Sequence, residues 1–187
     1  MKYLVIGGVA GGATTAARLR RMDENANIIL FERGKYVSYA NCGLPYYIGG
    51  TISERDKLFV QTVEGFTARF NIDIRTEQEV TAIHPKEKTV EVKNIRTGQT
   101  YTESYDKLVL SLGAEPLRPG IEGIDSKKIF TLRNVPDTDT IKKYIDLNKP
   151  RHAVVVGGGF IGLEMAENLH DLGVHIAVVE MANQVMA

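Results

Sequence analysis

Apolar and polar positions fall into blocks along this chain, and the blocks recur. Residues 2 to 6, KYLVI, form an apolar run that ends in a glycine cluster. An Ala- and Arg-rich stretch with helical spacing continues to about Met22, and a second apolar run, NIILFE, ends on Glu32. A short apolar run closed by glycine, then a 3.6-residue period, then another apolar run predicts strand, turn, helix, strand. The same order returns in HAVVVGGGFIGLEMAENLHDLGVHIAVVE, which ends on Glu180. Between the two copies the pattern predicts a short helix near residues 44–49 and a helix starting at Thr62, a residue suited to capping. A strand-rich section, TVEVKNIRTGQTYTESYDKLVLSLG, follows with a hairpin turn at RTGQ, and VPDTDTIKKYIDLNK reads as a capped helix that stops before Pro150. That proline and the restarted strand-helix-strand unit set a domain boundary near residue 150.

The glycines give both copies a chemistry. In a strand-turn-helix dinucleotide site they let the backbone approach a pyrophosphate, while the helix N-terminus supplies N–H groups and a favourable dipole. In the second copy Gly157, Gly159 and Gly162 occupy all three positions of G-x-G-x-x-G, and Glu180 stands where it could accept from a ribose hydroxyl. In the first, Gly7 and Gly12 hold the outer positions of GGVAGG and Val9 replaces the middle glycine, with Glu32 at the expected interval. One irregular motif would equally be an ordinary tight turn. Two, each framed by strands and ending on an acid, predict two dinucleotides. The fold class is therefore α/β: a Rossmann-like domain with a β-rich insertion over residues 1–149, incomplete as it stands, then the first βαβ unit of a second Rossmann-like domain over 150–187. Glu180, with no arginine nearby for a 2′-phosphate, favours NADH over NADPH.

Composition narrows the partners. The 23 basic and 23 acidic residues cancel, which argues against a nucleic-acid or anionic-membrane partner. No apolar run has the length of a membrane span, and the opening MKYLVIGG reads as a strand, lacking the pattern of a signal peptide. The single cysteine, Cys42, cannot build a disulfide framework, and a reducing cytoplasm is the expected compartment. Cys42 lies in SYANCGLPYYIGG, a polar turn ahead of Pro45, which suits the first turn of a helix. At a helix N-terminus a thiolate is favoured by the dipole and gains as a nucleophile. The competing reading is a small buried core residue. On the first helix Thr14, Arg18 and Arg21 share one face, where guanidinium forks could hold phosphate. Alternatively Arg18, Arg20 and Arg21 are simply solvated. No metal site is expected.

These motifs resemble the N-terminal part of flavin-dependent pyridine nucleotide-disulfide oxidoreductases, and SYANCGLPYY is similar to the single-cysteine motif of coenzyme A-disulfide reductases. The resemblance covers essentially the whole chain. It implies FAD at the first glycine motif and NADH or NADPH at the second. Gly7, Gly12, Glu32, Arg33, Val80 and Gly113 would serve the flavin, and Gly157, Gly159, Phe160, Ile161, Gly162 and Glu180 the nicotinamide cofactor. YDKLVLSLGAEP resembles the strand and small-residue turn closing the FAD domain, with Leu112 where a small hydroxyl residue is common. Thr14, Arg18, Arg21, Ser38 and Asn41 match positions that contact coenzyme A, whereas a lysine contact of the family falls on Phe70. Cys42 would be the catalytic residue, cycling between a thiolate and a mixed disulfide with coenzyme A, because no second cysteine is present to complete a dithiol. Phe160 would either cover the flavin until nicotinamide arrives or serve only in packing. The full-length family is expected to be a homodimer.

Three alternatives stand beside coenzyme A disulfide reduction. NADH oxidases and peroxidases resemble this chain but carry a histidine in the first glycine loop, where Ala10 stands; His84, His152, His170 and His175 lie outside the motifs. A reductase of coenzyme A persulfide or polysulfide shares every motif quoted. The third is a non-catalytic truncated form: residues 150–187 supply two strands and one helix, so the 187-residue chain is expected to lack turnover, hold FAD weakly or not at all, and associate through open strand edges.

Overall fold

The computed structural model describes residues 1–186. In chain order it holds β1 (Lys2–Ile6), α1 (Ala10–Met22), β2 (Asn27–Glu32), α2 (Leu44–Gly49), α3 (Val63–Phe70) and β3 (Asp73–Thr76). Then come β4 (Gln78–His84), β5 (Thr89–Asn94), β6 (Thr100–Ser104) and β7 (Lys107–Leu110), and finally α4 (Val135–Asn148), β8 (His152–Val156), α5 (Phe160–Asp171) and β9 (His175–Val179). Contacts group them into two units, residues 1–39 with 59–114, and residues 40–58 with 115 onward.

The first unit is built on a parallel sheet in the order β3-β2-β1-β7, with Leu4 opposite Ile29 and Val5 opposite both Leu30 and Val109. Residues 4–6 and 28–31 of its central strands are continuously apolar and buried because both faces are covered. Alternate residues point to opposite faces. Val5, Ile28 and Leu30 join Ala13 and Ala16 of α1 and Phe66 of α3 in one core, while Leu4, Ile29 and Phe31 meet Val90 and Val92 of the antiparallel sheet β4-β5-β6 in another. Each such fully buried Leu, Ile or Phe contributes roughly 1.5–3 kcal/mol. The antiparallel sheet is the β-rich insertion that the sequence pattern predicts. Strands β3 and β4 extend beyond that pattern: DIRT and QEVTAIH mix charged with β-branched residues, and their order comes from pairing with β2 and β5. Lys2 and Arg75 both bond Glu103, tying β1 and β3 to β6.

In the second unit β8 and β9 pair in parallel, with Val154 opposite Ala177. Ala153, Val155 and Ile176 pack on Met165 and Leu169 of α5, Ile141 of α4 and Ile48 of α2. On the other face Val154 and Val156 are exposed, and the rings of His152 and His175 stack with centroids 5.3 Å apart. Helix α4 starts with a capping box: the Asn134 side chain accepts from the Asp137 N–H, and the Asp137 carboxylate accepts from the Asn134 N–H. The Thr62 side chain caps α3 by accepting from the Gly65 N–H, as its position in the sequence predicts.

Candidate functional site

The two glycine loops have the same backbone construction. Each begins as its strand ends, with Gly7 at φ +99° and Gly157 at φ +104°, a region that glycine alone enters without strain. The Gly7 N–H donates to the Phe31 carbonyl and the Gly157 N–H to the Val179 carbonyl, both at 2.8 Å. At the third residue of each helix the glycine is required for space: a Cβ on Gly12 would lie 1.7 Å from the Gly7 carbonyl oxygen, and one on Gly162 2.0 Å from that of Gly157. Gly159, the middle glycine of the regular motif, has open space around it and an extended backbone at φ −80°, ψ −177°. Val9 holds the corresponding place before α1, so its departure from the motif does not disturb the loop's own packing.

Both acids that close the modules reach back to their loops. Glu32 accepts from the Gly8 N–H at 2.7 Å through one oxygen and from the Gly34 N–H at 2.6 Å through the other. Glu180 accepts from the Gly158 N–H at 2.6 Å and from the Ala182 N–H at 2.8 Å. Hydrogen bonds from the Ala182 and Gly158 amides hold the Glu180 carboxyl below the usual carboxylate range. In both loops the residue after the first glycine is also glycine, and space explains it: a Cβ on Gly8 would come within 2.9 Å of Leu30 and Val37, and one on Gly158 within 2.9 Å of Val185.

Among the remaining positions expected to serve a cofactor, Arg33 pairs with Glu79 at 3.9 Å, beside Val80 on β4. The pairing of β4 with β5 slips between Val80 and Ala82, a bulge that leaves local backbone groups out of the ladder. Gly113 follows β7 at φ +70°, a conformation that favours glycine, after an exposed Leu112. Phe160 opens α5 with 73% of its surface exposed. Ile161 is exposed beside it.

Cys42 is exposed, which removes the buried-core reading. It occupies a 3-10 turn, Asn41–Gly43, that runs directly into α2, with Pro45 in that helix's first turn. Gly43 is fixed behind it, its Cβ position 3.1 Å from Ile52 and 3.3 Å from Leu58. Asn41 is exposed in the same turn. In the other unit Ser38 takes φ +48°; its N–H donates to the Gly8 carbonyl, and its carbonyl accepts from the Val60 and Gln61 N–H groups. Thr14, Arg18 and Arg21 are all exposed on α1. Arg20 differs: its guanidinium donates to the carbonyls of Phe70, Asn71, Asp23 and Glu24, so it is a structural tie and not a solvated charge. Phe70 carries the Arg21 guanidinium 5.6 Å and the Arg69 guanidinium 5.3 Å from its ring centre.

Compared with known proteins, the chain matches the pyridine nucleotide-disulphide oxidoreductase family over residues 1–187. It belongs to that family. Coenzyme A disulfide reductase of Staphylococcus haemolyticus is 43% identical over 184 residues, covering 98% of this chain and 41% of that relative. Among solved structures, reduced Bacillus anthracis CoADR-RHD matches with a TM-score of 0.96 and 62% identity, over 99% of this chain and 33% of the other. A NAD-dependent persulfide reductase from A. fulgidus matches with a TM-score of 0.92 and 41% identity, over 99% and 34%. The chain thus spans about two fifths of the length of the curated relative. The α/β fold with a parallel, Rossmann-like sheet agrees with this family.

For a member of a pyridine nucleotide-disulphide oxidoreductase family, the glycine loops carry a testable feature. Helices α1 and α5 have no side-chain cap bond and no acid in the first turn, whereas α3 and α4 are capped by Thr62 and Asn134. Their leading N–H groups are therefore available to an anion, and the loops fit a pyrophosphate. Sequence reasoning missed Gly8, Gly158 and Arg69. The doubled glycine in GGVAGG and GGGFIG was the available signal for the first two, while Arg69 needed the fold to bring it to Phe70. Among the described residues no group of three or more His, Cys, Asp or Glu side chains could hold a metal, and no helix is long and apolar enough to cross a membrane.

Proposed function

We propose that this chain is part of a flavin- and NAD(P)H-dependent reductase of coenzyme A disulfide that works through Cys42. The observation that carries the reading is that Cys42, the one cysteine of the sequence, is exposed in a turn of its own. In this reading the partner sulfur comes from the substrate. Similarity to coenzyme A disulfide reductase supports coenzyme A as its carrier. In this reading Gly7, Gly12, Glu32, Arg33, Val80 and Gly113 hold FAD, and Gly157, Gly159, Phe160, Ile161, Gly162 and Glu180 hold NADH or NADPH. FAD, when bound, supplies the two-electron store between the nicotinamide and sulfur.

The residues of the chain then have separate roles. The Cys42 thiolate attacks one sulfur of coenzyme A disulfide, forms a Cys42–S–S–CoA bond and expels one coenzyme A thiolate. Two electrons delivered to that bond return the Cys42 thiolate and release the second coenzyme A. Thr14, Arg18 and Arg21 offer an exposed cationic helix face to the phosphates, with Ser38 and Asn41 as further contacts. Arg69 supplies positive charge beside Phe70, where the family resemblance leads one to expect a lysine. The protein is expected to act as a cytoplasmic homodimer.

Intact-mass measurement after mixing with coenzyme A disulfide tests the reading: one coenzyme A should add to the chain, and none to Cys42→Ser. An unmodified wild-type chain would overturn it. The similarity to a persulfide reductase favours a second reading, reduction of coenzyme A persulfide at the same thiol. Comparing NADH consumption by the full-length protein with disulfide, persulfide, peroxide and oxygen as acceptors separates the two readings and also tests the oxidase alternative.

A further inference from the structure

Glu32 and Glu180 make the same pair of bonds in two separate modules. One carboxylate oxygen accepts from the second glycine of the loop, Gly8 or Gly158, and the other from the turn that follows the strand, Gly34 or Ala182. A carboxylate is the side-chain group suited to this, because it is acceptor-only and offers two oxygens to two backbone donors. An amide of the same shape presents one acceptor and one donor, so it can satisfy only one of the two N–H groups. The bond also accounts for the second glycine. It draws the loop onto the strand end so closely that a Cβ on Gly158 would lie 3.2 Å from the Glu180 carboxylate, and one on Gly8 3.0 Å from the Glu32 Cβ.

We infer that Glu32 and Glu180 are positioning residues that hold each glycine loop in its dinucleotide-ready shape before any cofactor binds, acting through Gly8 and Gly158. Each carboxylate joins two loop segments, one through each of its oxygens. Ordering the loop in advance removes part of the ordering cost at the moment of binding. Contact with a ribose hydroxyl would then be a second duty of an acid already engaged. The depressed titration of Glu180 agrees, since backbone bonds to the charged form are its cause. The functional meaning of the shape rests on the two-dinucleotide reading; the bonds themselves do not.

Amide exchange in the ligand-free chain, followed residue by residue by NMR, tests the inference. Glu32→Gln should lower the protection of the Gly8 amide by at least about tenfold and leave Gly158 unchanged, and Glu180→Gln should do the reverse, as expected for hydrogen bonds to a charged acceptor. An acid that serves ribose alone would leave both amides unaffected without ligand. A second measurement needs no variant: in the wild-type chain the Gly158 amide shift should move with the Glu180 carboxyl as pH falls. Unchanged protection in both variants, or a Gly158 amide shift that stays flat while the Glu180 carboxyl titrates, would overturn it. Loss of protection across a whole sheet in a variant leaves the decision to the wild-type titration. FAD and NADH binding are measured separately. A full-length protein with both bonds and no cofactor affinity contradicts the cofactor reading and keeps the inference, and the converse result does the opposite.

Discussion

The two glycine modules share one backbone plan and differ in what surrounds it. Gly7 is confined twice, by its φ and by the Ser111 carbonyl oxygen that a Cβ would meet at 2.1 Å, because β7 runs on beside β1. Gly157 is confined by φ alone, with nothing within 4 Å of its Cβ position. The middle position is valine in one module and glycine in the other, while the second and last glycines are crowded in both. The comparison teaches that the spacing called G-x-G-x-x-G merges three separate requirements: a left-handed turn, a close helix-strand approach, and a middle position that the protein's own packing leaves open.

The closest approaches should give the largest effects. Gly12→Ala and Gly162→Ala each press a Cβ onto a backbone carbonyl that cannot move aside, and each should cost about 3 kcal/mol or more in urea unfolding followed by circular dichroism. A cost below about 1 kcal/mol in only one of them would break the parity between the modules. Next, Gly157→Ala should lose about 1–2 kcal/mol from its positive φ, and Gly7→Ala about 1–3 kcal/mol more because of Ser111. Equal losses would show that the two loops meet the same constraint.

Acid should separate the units by smaller amounts. Burial of Glu103 opposes its ionisation, but hydrogen bonds and charge from Lys2 and Arg75 outweigh this and hold its carboxyl below the usual range. Glu180 is also depressed, by its backbone bonds. A carboxyl depressed in the folded state contributes stability that is complete above its unfolded value and lost as pH falls through the folded value. Glu103→Gln should therefore flatten the fall in stability below the ordinary carboxylate range. Glu180→Gln, at an exposed site, should flatten it less, and the reverse order would contradict this account. The smallest effect is expected at Gly159→Ala, within about 0.5 kcal/mol, since its conformation suits any residue and its surroundings are open. A large loss there would mean that Val9 is accommodated by some feature peculiar to the first module.

Much of this plan was legible from sequence because its signals are local. The bounds of β1, α1 and β2, the cap at Thr62 and the helix before Pro150 follow from periodicity and capping chemistry within a few residues. Cys42 stood out through its polar neighbours. What was not legible depends on partners far along the chain. Arg18, Arg20 and Arg21 are alike in sequence, yet only Arg20 is tied down, by carbonyls of residues 70 and 71 that folding brings to it. The second glycines were visible as doubled letters, but their reason lies in an acid one strand away. β3 depends on its neighbour β2, and its own four residues carry little pattern.

The grip of Arg20 has a mechanical consequence. Its guanidinium bonds the turn after α1 at Asp23 and Glu24 and the end of α3 at Phe70 and Asn71. It works as a fixed caliper between the two helix ends. The exposed face with Arg18 and Arg21 and the ring of Phe70 with Arg69 are thereby held at a set gauge. A ligand with several phosphates would meet charges already spaced, as teeth on a rack are, and its reach would be measured against a dimension set by a residue it never touches.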